Sequence, residues 1–181
     1  MNFLELVKKR QSTRSYLPGP VSRDLIKQCL MSAELAPSAC NSQPLHFIFV
    51  DELGLKKELA ESIFSGPYRM NSFAKQAPVL IIVVSERSSF MAKIGGYFRG
   101  TSFYLMDIGI AVEHFILQAT ELDLGSCWIG WFNEKETKKI LSIPSDKKID
   151  CVISLGYSKE PLREKNRKPL EKISSFNRYN S

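Results

Sequence analysis

The chain has 181 residues, 44% of them apolar and 24% charged, and a formal net charge of +6. That length suits one domain with a core that needs no disulfide or metal staples, and the ordinary composition excludes a disordered or fibrous chain. The positive charge admits nucleic acid or an anionic small ligand, but the basic residues gather near Lys8 to Arg14 and again near Lys159 to Lys172, which fits a compact site better than a stripe along a polymer.

Residues 2–10 open with an Asn2-x-x-Glu5 capping box, carry apolar Phe3, Leu4, Leu6 and Val7, and close on Lys8, Lys9 and Arg10, the charges a helix C-terminus favours. After the breaker "PGP", a second helix is predicted from Ser22 to about Ala36, with Leu25, Ile26, Cys29, Leu30 and Ala33 on one face and Pro37 ending it. "HFIFV" (46–50) and "VLIIVV" (79–84) read as buried strands, and Leu55, Leu59 and Ile63 mark a helix between them. The longest helix is expected from about Ser102 to Asp123, apolar around more than half its surface. Gly125 is expected to end it, "SCWIGW" to form a strand, Asn133 to cap a further helix, and "DCVISLGY" to be the last strand. From Ser158 the chain turns polar and basic, with Leu162, Leu170, Ile173 and Phe176 at no clear period, so this tail either frays or docks on something such as a second subunit. Taken by itself the pattern suggests an α/β sheet.

Cys29, Cys40, Cys127 and Cys151 are widely spaced without a C-x-x-C pair, which argues against zinc and disulfides. The N-terminus does not look like a secretory signal, and "APVLIIVVS" is far too short to span a bilayer, so a cytoplasmic protein is expected, with no membrane partner and no metal.

Arg10, Ser12 and Arg14 in "RQSTRSY" are close enough to meet one phosphate through charge-assisted bonds, or else they are a complemented helix end and a solvated arginine. The stretch "PSACNSQP", residues 37–44, offers uncharged amides and hydroxyls that suit the edge of a heteroaromatic ring such as a flavin pyrimidine, or it is an ordinary turn. No Walker loop and no G-x-G-x-x-G occurs.

Four stretches in order, "KKRQSTRSY", "APSACNSQPLHFIFV", "GIAVEHFILQATELDLGSCWIGWF" and "LGYSKEPLREKNRKPLEKI", resemble the FMN-dependent nitroreductase family over nearly the whole chain. The resemblance implies one α+β domain over 1–181, a mixed central sheet flanked by helices, and a homodimer in which the 158–181 tail is swapped onto the partner. It further implies FMN at the subunit interface, NADH or NADPH as donor, and ping-pong hydride transfer to a small-molecule acceptor such as a nitroaromatic or a quinone. Arg10, Gln11, Ser12 and Arg14 match the segment contacting the FMN phosphate and ribityl chain, and Lys165 and Arg167 the basic pair that closes on the phosphate. Pro37, Ser38, Ala39, Asn41 and Gln43 match the loop that meets the flavin from the other subunit. Ile129, Gly130 and Trp131 match the strand end facing flavin N5, with the Gly130 backbone N–H as the contact.

Cys40, Leu45 and Trp131 depart from the family's usual residues and bear on acceptor size and stacking rather than on FMN. No Ser-His-Asp set is evident: His46 and His114 read as structural, Cys40 as a spectator, and Trp128 and Trp131 as packing residues, with Trp131 a candidate acceptor wall. Between Ser85 and Ser102 there is little room for a large lid, and Phe90, Tyr97 and Phe98 are candidate pocket walls. The rival readings are a specialised dehydrogenase, dehalogenase or flavin-degrading enzyme on the same fold, a non-enzymatic flavin sensor, and a basic nucleic-acid-binding module, for which no recognised motif is present.

Overall fold

A computed structural model describes residues 1–86 and 100–179. Along the chain lie α1 (Phe3–Lys9), α2 (Arg23–Glu34), β1 (Leu45–Val50), α3 (Leu53–Ile63), β2 (Val79–Ser85), α4 (Phe103–Glu121), β3 (Leu124–Ile129), α5 (Glu134–Ile140) and β4 (Lys148–Tyr157), with 3-10 segments at Ala39–Asn41, Gly66–Gln76 and Leu170–Lys172. The candidate pocket walls Phe90, Tyr97 and Phe98 lie outside the described residues.

The local signals act as the sequence suggests. Asn2 accepts from Glu5 N at 2.9 Å while the Glu5 carboxylate accepts from Asn2 N at 3.1 Å, closing the capping box. Ser22 caps α2 through Asp24 N, and Asn133 caps α5 through Glu136 N. Helix α1 nevertheless buries none of its residues, and Phe3 and Leu4 stand exposed.

The strand order is β1-β2-β4-β3, and each neighbouring pair is antiparallel. This gives the α+β class and corrects the α/β reading of the bare pattern: α3 and α5 each lie inside a connection that returns the chain antiparallel to the preceding strand, so a helix between strands does not here mean a parallel crossover. The parallel component expected of a mixed sheet is confined, among the described residues, to a bridge between Ser12 and Ser126.

Strand β2 is buried along its whole length, and its alternate side chains enter two different cores. Val79, Ile81 and Val83 pack with α2 and α4 around Phe115, whereas Leu80, Ile82 and Val84 pack with α3 around Phe64 and Ile63. The register slips between Val83 and Val84, which pair with Cys151 and Ile149, so Asp150 is the extra residue of a bulge.

Gly125 does not end α4. Asp123, at φ +60°, takes the left-handed position after the helix, a role the short polar side chain of aspartate tolerates, and Gly125 lies inside β3. There a Cβ would sit 2.6 Å from Thr13 Oγ1, so the glycine is a close-approach residue that lets the segment 12–16 lie against the sheet. Gly156 does the same in β4, where a Cβ would come 2.5 Å from Pro78 Cδ and 3.0 Å from the Tyr16 ring. Both neighbours are rigid, so Gly156→Ala is expected to destabilise by ~1–3 kcal/mol, seen as a fall in Tm of several degrees by circular dichroism. An unchanged Tm would mean that the Tyr16 segment does not rest on the sheet as described.

Candidate active site

The two basic clusters, about 150 residues apart in sequence, meet in space. The segment after α1 runs beside the sheet, with Thr13 N donating to Ser126 O at 2.9 Å and Leu17 N to Tyr157 O at 2.8 Å. Beneath it, the buried Tyr16 hydroxyl bonds Thr13 O at 2.9 Å and Ser154 Oγ at 2.7 Å, and desolvation by burial pushes the phenol well above its usual range. The tail leaves β4 alongside this segment and is clasped to it. Lys159 N donates to Ser15 O at 3.0 Å, Gln11 Nε2 to Pro161 O at 3.1 Å, Arg163 N to Gln11 Oε1 at 3.1 Å, and Arg163 Nη2 to Ser12 O at 2.6 Å.

The clasp carries Lys165 onto the end of α1, where its ammonium donates to Lys8 O. Partial desolvation, then the positive charges of Arg10 and Arg167, hold the Lys165 ammonium below its usual range, so three cations share one field. Arg10 Nε is buried and makes no hydrogen bond; it pairs with the Glu113 carboxylate at 3.6 Å, a distance too long for a hydrogen bond. Crowded like charges beside a guanidinium with an unused N–H fit a multiply charged anion such as a phosphate monoester.

Of the other residues expected here, Gln11 has both ends of its amide engaged by the tail, so it acts as the clasp. Arg14 reaches toward the 3-10 segment 66–76: its guanidinium lies 5.8 Å over the Phe73 ring, and its hydrogen bond to Ser12 O is long at 3.5 Å. Ser12 contributes its backbone to the sheet edge. Arg163, which holds the tail to Ser12 and pairs with Glu160 at 3.2 Å, was not singled out in sequence although it lies in the same basic stretch as Lys165 and Arg167.

The second constellation is the loop between α2 and β1. Cys40, Asn41 and Gln43 all have positive φ, at +52°, +51° and +43°, which leaves Asn41 and Gln43 exposed and side by side, Gln43 Nε2 lying 3.3 Å from Asn41 Oδ1. Ser38 Oγ accepts from Gln43 N at 3.0 Å, and Ala39 N donates to Asp107 Oδ1 on α4 at 3.0 Å. Pro37 and Ser38 line a cavity of about 290 Å³ between the loop, α2 and β1. Asp107 is the second residue that the sequence reading passed over; its signal was a lone acid in the apolar run "FYLMDIGIAV".

The third constellation is the end of β3. Ile129 is buried, and Gly130 follows with open space where a side chain would be. Trp131 Nε1 donates to Pro67 O at 3.1 Å, Asn71 Nδ2 donates to Trp131 O at 2.8 Å, and the Tyr68 ring lies 5.3 Å from the indole, so the 3-10 segment 66–76 walls this strand end. No hydrogen bond, ion pair or ring contact among the described residues joins the loop 37–44 to the Arg10 cluster or to Gly130. His46 is exposed on β1, while His114 Nδ1 lies 3.2 Å from Ser32 O between helices. The four cysteines are free, Cys40 exposed and the others buried. Among the described residues no group of three His, Cys, Asp or Glu could hold a metal ion, and no helix is long and apolar enough to cross a membrane.

The model of the nitroreductase family matches residues 7–157, which takes in the phosphate-side segment, the loop and the β3 end. The chain belongs to the nitroreductase family. A provisionally named NADH dehydrogenase/NAD(P)H nitroreductase of Archaeoglobus fulgidus is 32% identical over 161 residues, covering 87% of this chain and 86% of the relative. The crystal structure of a nitroreductase family protein from Clostridium novyi NT superposes with a TM-score of 0.76 at 32% identity, covering 91% of this chain and 89% of that one. An FMN-dependent nitroreductase of Clostridium difficile R20291 gives a TM-score of 0.75 at 28% identity over 98% of this chain and all of the other. This nitroreductase family member is thus an oxidoreductase by kinship along most of its length, including the strand end and loop just described. The tail from Ser158, with Lys165 and Arg167, lies beyond the matched residues.

Proposed function

We propose that the protein is an FMN-dependent NAD(P)H oxidoreductase that passes two electrons to a small electrophile such as a nitroaromatic or a quinone, donor and acceptor taking turns at one site. The observation that carries this reading is the hydrogen-bonded clasp that brings Lys165 from the far end of the chain to the end of α1 beside Arg10, with a buried Arg10 N–H left without a hydrogen-bond acceptor. When bound, FMN supplies the hydride chemistry, which explains why no protein nucleophile is needed. The chain's own residues bind and orient: Arg10, Lys165 and Arg167 hold the phosphate, Asn41 and Gln43 offer amides to the ring edge, and the Gly130 N–H is free to be approached because no side chain covers it.

Two such protomers complete the arrangement. Leu105, Met106 and Ile110 form an exposed stripe on α4 and Phe3 and Leu4 stand out on α1, an apolar surface that suits a second copy. The loop of one copy then serves the phosphate cluster of the other, in keeping with the absence, among the described residues, of a hydrogen bond or ion pair between loop and cluster within one chain. In the purified protein reconstituted with FMN, anaerobic addition of NADH or NADPH is expected to bleach the visible flavin absorbance, and a nitro compound or quinone to restore it. Failure of both nucleotides to bleach a bound flavin would defeat the nicotinamide part of the reading.

A further inference from the structure

We infer that Asp107 is a positioning residue of this site: its buried carboxylate fixes the place of the loop 38–43, and thereby the direction in which Asn41 and Gln43 are presented. The inference rests on the loop meeting the flavin ring, as proposed above.

Asp107 stands on α4 at 5% exposure, beside the core residues Ile108 and Ala111. Among the described residues it has no ion pair, so a carboxylate is held in an apolar setting by neutral donors, which is unfavourable unless its hydrogen bonds are in place. Those donors belong to the loop: Ala39 N at 3.0 Å from Oδ1, and Ser42 Oγ at 3.4 Å from Oδ2. The loop needs such a hold, because three of its residues lie in the left-handed region that L side chains disfavour, and such conformations persist only where surroundings impose them. Bonds inside the loop, Asn41 N to Ser38 O, Ser42 N to Ala39 O and Gln43 N to Ser38 Oγ, define its shape but not its location. The flanks are held by Ala36 and Leu45 packing on the core and by Glu86 N donating to Pro44 O at 2.9 Å, while between them Pro37, Ser38 and Gln43 border the cavity of about 290 Å³. Asp107 lines that cavity too, and it spans from the core helix to the loop across one edge of it.

A ring-side anchor and a phosphate-side anchor leave different signatures with FMN and with riboflavin, which lacks the phosphate. Asp107→Ala is expected to weaken both flavins by the same factor, roughly tenfold to a hundredfold for one charge-assisted anchor, and at saturating FMN to alter the visible circular dichroism of the bound flavin. Asp107→Asn keeps an acceptor for Ala39 N and a group for Ser42, so it should restore the spectrum and most of the affinity. Ser42→Ala removes one of the two bonds without opening the core and should weaken both flavins a few-fold, which keeps the test decisive if Asp107→Ala folds poorly. Arg10→Ala serves as the comparator and should weaken FMN alone. Unchanged flavin affinity and spectrum in both Asp107→Ala and Ser42→Ala, with FMN weakened by Arg10→Ala, would overturn the role of Asp107 and leave the site standing. If Arg10→Ala is silent as well, the site itself is misplaced.

Discussion

Replacing Arg10 and Lys165 together by alanine is expected to weaken FMN binding about a hundredfold or more while leaving riboflavin binding within a few-fold of the parent. The size follows from the chemistry. A hydrogen bond to an ionised group is worth ~1.5–3 kcal/mol, so two such partners amount to ~3 kcal/mol at the low end, about a hundredfold in a dissociation constant. Arg10 is mostly covered, and its Nε has no hydrogen-bond acceptor within the protein, so a phosphate oxygen meets a donor that is already desolvated. Removing either cation relieves the repulsion among Arg10, Lys165 and Arg167 but also removes the Lys165 bond to Lys8 O or the Arg10 pairing with Glu113, so the ligand-free variant should differ little in stability from the parent. Because the cluster is partly open to solvent, the parent's FMN affinity should also fall with added salt more steeply than its riboflavin affinity. Flavin titrations by fluorescence at two ionic strengths check both statements. Equal losses for the two flavins would place the phosphate elsewhere.

Much of this arrangement is legible in the amino-acid order, and what is not has identifiable causes. Capping residues and apolar spacing mark the helices well: Asn2, Ser22 and Asn133 all cap where the pattern puts a start, because a side-chain acceptor within three residues is a local property. Strand direction is not local. The same succession of helices and strands serves a parallel or an antiparallel sheet, and only the long-range pairing of β2 with β1 and β4 decides it. Gly125 shows the same limit, since nothing nearby in sequence reveals Thr13 packed against it, and Asp123 could take the left-handed turn in its place.

At the site, two separated basic clusters point to a compact anionic ligand, while the choice of Arg10, Lys165 and Arg167 within them is what the family resemblance implies. The divergent fates of Gln11 and Arg14 could not be read from the sequence, as both are set by contacts across the fold: the tail backbone takes the Gln11 amide, and Phe73 takes the Arg14 guanidinium. The 3-10 segment 66–76 had no periodicity to announce it. It matters through single contacts, Asn71 to Trp131 O and Trp131 Nε1 to Pro67 O, that tie it to the strand end.

Ending the chain at Lys168 is expected to abolish the stable dimer and, with it, most of the flavin affinity, although each residue of the phosphate cluster is retained. The deleted residues include Leu170, Ile173, Phe176 and Tyr179, the last two about nine-tenths exposed on the isolated protomer. A groove of about 440 Å³ runs between α2 and β1, lined by Ile26, Leu30 and Phe49 with Arg23 and Asp51 at its rim, and it offers an incoming tail both an apolar wall and a strand edge that no other strand pairs among the described residues. Removing these side chains takes away apolar surface that the dimer would bury, and each ~1.4 kcal/mol lost raises the dimer dissociation constant about tenfold. Flavin affinity is expected to fall too because, among the described residues, no hydrogen bond or ion pair joins the loop bearing Asn41 and Gln43 to the Arg10 cluster of its own chain, so a monomer would hold the phosphate grip without a ring-side partner. Sedimentation velocity and FMN titration on the shortened protein, with circular dichroism to show that the fold persists, test the two effects together. A shortened protein that remains dimeric and binds FMN as the parent does would put the tail outside the interface, and a monomer with undiminished affinity would place loop and cluster at one site within a single chain.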